Sequence, residues 1–191
     1  PVYNFMRGFH FKSDLYEDAA FQIGTLFYEY REFDYSVRFA ELVSKKHRGL
    51  YREAKLLHAQ SLIAMNKPAE ARDLLAKLSP EYPDSTILSI RLVSAMLKSG
   101  AYNDAYSQTM MLLKKEKPSW ATEIALGQLK DIIDKGNIKL TEDDTLVYAR
   151  SLYDIKDYKA SLNLLNNIKP DFKSESGELF LRLLCREEKK T

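Results

Sequence analysis

Three histidines and a single cysteine are the residues of this sequence whose types most often support catalysis or metal binding. His10, His47 and His58 do not follow metal-ligand spacing, and the repeat position of His58 predicts a packed core histidine. Cys185 has no candidate base beside it, and a lone cysteine forms neither an internal disulfide nor a cysteine zinc site. The carboxylates of Glu142–Asp144 fall at a predicted helix start, where the helix dipole favours negative charge. With no glycine-rich phosphate loop and no GxSxG turn, we expect no catalytic residue, cofactor or metal.

Basic residues are the next candidates, because they could contact phosphate groups. The run Lys45-Lys46-His47-Arg48, followed by Arg52 and Lys55, falls in a predicted link between helices. The net charge of the chain is only +2, which favours a solvated loop over a nucleic-acid site. Lys114-Lys115-Glu116-Lys117 is typical of a helix end, where positive charge is favourable.

The composition describes an ordinary globular chain. It has 191 residues, of which 45% are hydrophobic and 29% are charged, and this excludes intrinsic disorder. No stretch approaches 18 consecutive apolar residues, so we expect no membrane insertion. The start Pro1-Val2-Tyr3 and the unpartnered apolar pattern near the end lead us to expect a segment of a longer protein. The compartment is unknown, with a cytoplasmic location slightly favoured.

Helical periodicity dominates the sequence, so we expect α-helices to position these residues. Leu56, Leu57, Gln60, Ile63 and Ala64 follow helical spacing, and no run alternates long enough for a convincing strand. Helix-breaking pairs interrupt this periodicity, for example Lys67-Pro68, Ser99-Gly100 and Lys169-Pro170. Capping is predicted at Asp84-Ser85 and at Thr141. Short helices joined by short turns predict antiparallel helical hairpins.

A spacing of 34 residues recurs along the chain. Ala59 and Val93 are 34 apart, and a small residue follows twelve positions after each of them, at Ala71 and Ala105. The same frame fits the sets Gly24, Ser36, Val43 and Ala149, Ser161, Ile168. Small residues at these positions would let two antiparallel helices approach closely.

This pattern resembles the tetratricopeptide repeat (TPR), a helix–turn–helix unit of about 34 residues. Residues 98–105 and 154–161 match the turn of the family, and Ala59 through Pro83 is the best-matching stretch. The resemblance implies an all-α, right-handed α-solenoid of antiparallel helix pairs, with repeats at about 17–50, 52–85, 86–118 and 142–170. It also leaves one inserted helix at about 119–135 and a partial fifth unit at 174–191. We expect Trp120, Ile124, Leu126, Leu129, Ile132 and Ile133 to pack the inserted helix between the third and fourth repeats.

In that family the first helices line a concave groove that binds a partner, and the resemblance assigns groove positions here. The fifth positions of the repeats are Phe21, Leu56, Ile90 and Leu146. The ninth positions are Thr25, Gln60, Ser94 and Arg150, and the twelfth are Tyr28, Ile63, Leu97 and Tyr153. The clamp of Lys, Asn and Arg that holds a terminal carboxylate in chaperone-binding members is absent. The groove therefore suits an apolar or amphipathic protein segment, unless the chain's own inserted or terminal helix fills it.

Aromatic residues are concentrated near the start of the chain, between Tyr3 and Phe39. Phe21, Ile23, Phe27 and Tyr30 would give one helix more than one apolar face, and such a helix must be covered on several sides. The cover could be residues 1–12, or it could be a partner or a second copy of the chain.

We expect non-catalytic protein binding, as a scaffold or adaptor. Two alternatives stay open: a helical positioning region of a larger enzyme, such as a lytic-transglycosylase-like protein, and a homo-oligomerisation module of a multisubunit assembly.

Overall fold

A computed structural model describes residues 14–115 and 119–168, together with Gly177, Leu179, Arg182 and Leu183. Those two ranges contain nine α-helices and no strand, so the all-α expectation is confirmed for them. The helices are α1 (Asp14–Glu29), α2 (Phe33–Ala40), α3 (Tyr51–Ala64), α4 (Pro68–Leu78), α5 (Thr86–Lys98), α6 (Tyr102–Lys115), α7 (Trp120–Gly136), α8 (Glu142–Asp154) and α9 (Tyr158–Ile168). A short 3-10 turn, Ser79–Glu81, follows α4.

The chain divides into two compact units, Pro1–Ser99 and Gly100–Thr191. In the first unit each helix from α1 to α5 packs against the next, and α3 also contacts α1 and α5. In the second unit α6 packs against α7 and α8, and α8 packs against α9. The helices therefore pack sequentially in pairs. The third predicted repeat is divided, since α5 belongs to the first unit and α6 to the second.

The same turn closes three of the helix pairs. Arg31, Asn66 and Lys156 have φ of 62°, 59° and 69°, the left-handed conformation that ends many helices. After α3, for example, the Asn66 amide donates to the Ile63 carbonyl and the Lys67 amide donates to the Leu62 carbonyl. Gly100, with φ of 78°, stands at the corresponding place after α5. These four positions follow the spacing of the sequence frame.

The small residues of that frame lie in the core. Side chains at these positions are at most 1% exposed, namely Ser36, Ala59, Ala71, Val93, Ala105, Ala149 and Ser161. A Cβ at Gly24 would lie 3.2 Å from the Phe39 Cβ and 3.4 Å from the Ser36 carbonyl, so α1 and α2 approach closely there. Where serine replaces alanine, its hydroxyl is satisfied: Ser161 donates to the Ala149 carbonyl at 2.7 Å.

Side-chain hydroxyl groups cap the N-termini of two of the later helices. Thr141 Oγ1 accepts from the Asp144 amide at 3.1 Å, as the sequence predicted. Ser119 forms a capping box with Thr122 at the start of α7. The prediction of a side-chain cap at Ser85 is wrong. Ser85 occupies the N-cap position of α5, but its side chain makes no cap hydrogen bond.

The inserted helix α7 exists, and one face of it is buried against its neighbours in the second unit. Leu126, Leu129 and Ile132 lie in the core as expected. The expectation for Trp120 and Ile124 is wrong: they are 58% and 43% exposed. They lie one turn apart on the opposite side of the helix, so they cannot share its buried face.

Little of the predicted partial fifth unit is described, and Cys185 lies outside the described residues, as does His10. Leu179 and Leu183 are buried, in one cluster with Ala149, Leu162 and Leu165. Among the helices that the structure describes, none combines the length and the apolar character needed to cross a membrane.

Candidate functional site

The first helices of the proposed repeats are neighbours in the first unit, where α3 lies in contact with both α1 and α5. Their twelfth positions, Tyr28, Ile63 and Leu97, are half-buried. Each stands three residues before a residue in the left-handed conformation. The carbonyls of Tyr28 and Ile63 accept the turn amides of Arg31 and Asn66 at 3.0 and 3.1 Å. Equivalent turns therefore place these side chains at equivalent points of adjacent helices.

The fifth positions are less accessible. Leu56 and Ile90 are only 5% and 4% exposed, so they contribute mainly to the core of the first unit. Phe21 is half-buried. A partner on this face would therefore contact the twelfth positions more than the fifth.

Two of the polar ninth positions, Gln60 and Thr25, make hydrogen bonds within the first unit. With its amide oxygen turned toward Arg91, Gln60 accepts hydrogen bonds from the guanidinium Nε at 3.1 Å and Nη2 at 2.7 Å. Thr25 Oγ1 donates to the Phe21 carbonyl at 3.0 Å, and Ser94 is half-buried. Sequence reasoning missed Arg91. The signal for it was its spacing: Arg91 lies three residues before Ser94, and hence one turn away on the same helix.

Arg150 and Tyr153, the remaining predicted site residues, belong to α8 of the second unit. Arg150 is exposed, and the ring of Tyr153 lies 5.3 Å from that of Tyr158 on α9. Arg150 also borders a cavity of about 260 Å³ between α6, α7 and α8. The cavity is lined by Leu113, Lys114, Thr122, Val147, Arg150, Ser151 and Asp154. Partial burial raises the pKa of the Asp154 carboxyl, and Arg150 opposes that effect.

Asp144 joins two helices beside this cavity. Tyr106 Oη donates to Asp144 Oδ2 at 2.6 Å, and Lys114 Nζ lies 3.0 Å from Oδ1. The hydrogen bond from Tyr106, followed by those from Lys114 and Thr141, lowers the pKa of the Asp144 carboxyl, although burial opposes them. Burial, together with the bond to Asp144, raises the pKa of Tyr106. The cluster positions α6 against α8 and contains no activated nucleophile.

No protein-family model matches this chain, and neither does any curated protein sequence.

His47 and His58 are packed side chains in the first unit. His58 is 12% exposed, and burial lowers its pKa, with the nearest carboxylate of Glu41 4.0 Å away. His47 Nε2 lies 3.2 Å from Asp18 Oδ1. Within the described ranges, no group of three His, Cys, Asp or Glu side chains could hold a metal ion.

Acidic and aromatic side chains contact the basic residues in and just after the link between α2 and α3. Lys45 Nζ lies 2.7 Å from Glu81, and Arg52 contacts Glu53 and stands over the Tyr82 ring. Lys55 Nζ stands 5.4 Å from the centre of the Tyr51 ring. Lys45, Arg52 and Lys55 therefore have partners within the chain.

Proposed function

We propose that the chain is a degenerate TPR-like solenoid that acts as a non-catalytic scaffold or adaptor. In this proposal it binds an apolar or amphipathic segment of another protein on the face formed by α1, α3 and α5. The equivalence of Tyr28, Ile63 and Leu97 is the main support for the proposal, because they form a row of half-buried apolar side chains on three adjacent helices.

The solenoid assignment is supported by repeated local geometry. Left-handed turn residues recur at 31, 66, 100 and 156, and buried small residues recur where helices pair. A repeat that packs mainly on its neighbours exposes the same helix on one side each time, which produces an extended surface for binding.

The chemistry of the partner follows from what this face offers. Phe21, Tyr28, Ile63 and Leu97 are apolar, whereas the Arg91 guanidinium is already engaged by Gln60. A terminal carboxylate would have to compete with that hydrogen-bonded pair. Apolar anchors at helical spacing are the better match. The surface is confined to the first unit and does not include Arg150 or Tyr153.

The test is the double variant Ile63→Asp/Leu97→Asp. Photo-crosslinking from position 28 in cell extract first identifies the bound protein, and the purified partner is then titrated against each variant. New carboxylates at a buried contact should weaken its binding by at least about 100-fold, since burying a charge is costly. Circular dichroism should remain helical.

The matched control is Ala69→Asp/Ala76→Asp, which adds the same two charges at exposed positions of α4. It should bind the partner as the unmodified chain does. Equal affinity of both double variants, with both folded, would exclude the proposed face.

A further inference from the structure

The three helices that form the proposed binding face differ in charge. Helix α1 contains no lysine or arginine, and its acidic residues are Asp14, Glu17, Asp18 and Glu29. Helix α3, which contacts both α1 and α5, contains residues of both signs, and its Arg52 and Glu53 pair with each other at 2.6 Å. Helix α5 contains Arg91 and Lys98 and no acidic residue. The face is therefore acidic at α1 and basic at α5.

This difference in charge extends to the row of twelfth positions. Glu29, Ala64 and Lys98 each directly follow a twelfth position, and all three are exposed. Equivalent places on adjacent helices therefore have a negative, a neutral and a positive side chain. Arg91 adds to the positive end, because its hydrogen-bond partner Gln60 is uncharged. A segment that crosses the three helices would meet opposite charges at its two ends.

The spacing of the row matches a helix lying across α1, α3 and α5. Packed helices are about 8–10 Å apart. Residues seven apart in an α-helix are about 10.5 Å apart and lie on nearly the same face. A strand covers that distance in about three residues, which point to opposite faces. A helix can therefore place residues i, i+7 and i+14 against Tyr28, Ile63 and Leu97.

A second copy of the chain matches this face less well. Leu56 and Ile90 are almost fully buried, so the row offers only three half-buried apolar side chains. A stable interface between two folded proteins buries about 800 Å² and about 20–30 residues on each side. One helix needs only a narrow row of anchors, and it is the better match in size.

We infer that the segment bound on this face is an α-helix with opposite charges at its two ends, whose basic end lies on α1 and whose acidic end lies on α5. The inference rests on the proposed function and adds the conformation, charge and orientation of the partner. Basic side chains of the segment meet Glu29, and its carboxylates meet Lys98. The reverse orientation would bring like charges together at both ends.

Two synthetic peptides of the same composition test the inference on the full chain. Each has about 18 residues, enough to cross three helices, with leucine at i, i+7 and i+14. The bipolar peptide has glutamates in its N-terminal third and lysines in its C-terminal third, whereas the control peptide alternates the two. Fluorescence anisotropy should show that the bipolar peptide binds about three- to tenfold more tightly at low salt. This advantage should disappear at about 0.5 M salt.

Photo-crosslinking determines the orientation. A diazirine beside the lysines of the bipolar peptide should give crosslinks mainly in α1, located by mass spectrometry. Glu29→Lys/Lys98→Glu exchanges the charges beside the twelfth positions at constant net charge. The ratio of α1 to α5 crosslinks should then fall at least about threefold. The matched control Glu70→Lys/Lys77→Glu exchanges two exposed charges of α4 and should leave the ratio unchanged.

The outcomes separate this inference from the proposed function. Equal affinity of the two peptides, or an unchanged crosslink ratio in Glu29→Lys/Lys98→Glu, would overturn the inference. If Ile63→Asp/Leu97→Asp still abolished binding of both peptides, the proposed face would nevertheless stand. Peptide binding that this double variant does not affect would reject the face itself. Binding of neither peptide would exclude a helix of this kind, and a dimer of the chain that dissociates in Ile63→Asp/Leu97→Asp would identify a second copy as the occupant.

Discussion

Asp144 links two helices of the second unit through one carboxylate. Tyr106 and Lys114 reach it from α6, and Thr141 caps the same residue's backbone amide at the start of α8. Hydrogen bonds to a charged acceptor are stronger than neutral ones, so the ionised form is the stabilising one. The sequence predicted the carboxylate cluster at a helix start, but it did not predict that the third carboxylate would pair with a tyrosine 38 residues earlier.

Tyr106→Phe should therefore destabilise the chain in a pH-dependent manner. The folded-state pKa of Asp144 lies below its ordinary value, so its contribution is fully present above the unfolded pKa of about 3.9. That contribution is lost as the pH falls through the lower folded value. We expect a loss of about 1–2 kcal/mol in the free energy of unfolding near neutral pH, shrinking below about pH 4.

Urea denaturation followed by circular dichroism at several pH values measures this effect. Tyr102→Phe, which removes a hydroxyl from the same helix, is the control and should show no such pH dependence. A loss for Tyr106→Phe that stays constant through the acidic range would mean that Asp144 is not the group responsible.

Gly24 in α1 and Gly127 in α7 differ in packing. An added Cβ at Gly24 would come within 3.2 Å of Phe39, whereas at Gly127 it would meet nothing within 4 Å. Gly127→Ala should stabilise the chain by about 0.5–1 kcal/mol, because alanine is the better helix former. Gly24→Ala should lose this gain, since Phe39 must move to accommodate the methyl group.

Thermal melts of the two variants provide the comparison. Gly24→Leu is a third variant for the same measurement. Its larger side chain should lower the free energy of unfolding by about 1–3 kcal/mol or more, because it overpacks the α1–α2 contact. If Gly24→Ala and Gly127→Ala stabilise equally, the close approach of α1 and α2 is wrong.

Sequence patterns predicted the helices and turns better than the burial of individual faces. Turn chemistry and helical periodicity are local, so residues 98–105 and 154–161 were sufficient to locate two turns. The prediction that Trp120 is buried was wrong because α7 has apolar residues on two sides, and periodicity alone cannot tell which side is covered. The Gln60–Arg91 pair and the burial of Leu56 depend on helices distant in sequence, which a local pattern does not specify.

Two compact units imply that a core defect should act locally. Leu75 in α4 and Leu129 in α7 are both fully buried, one in each unit. Truncation of either to alanine should cost about 2–5 kcal/mol. We expect Leu75→Ala to accelerate amide exchange mainly in α1–α5, and Leu129→Ala to do so mainly in α6–α9, because contiguous packed units open cooperatively.

Hydrogen exchange with mass spectrometry distinguishes these responses. Leu15→Ala, at a 78% exposed site, is the control and should change the exchange of the core amides very little. Equal acceleration of α1–α5 and α6–α9 by each core variant would show that the chain opens as a single cooperative block.

Sequential helix pairing also has a kinetic consequence. Within each unit, the described helices pack against the next one or two along the chain, so the loops that must close during folding of a unit are short. Closing a short loop costs little entropy, and topologies dominated by such closures fold on microsecond-to-millisecond timescales. The nucleus is then not tied to one place: any pair of adjacent helices can form first, and folding can spread from it in either direction along its unit.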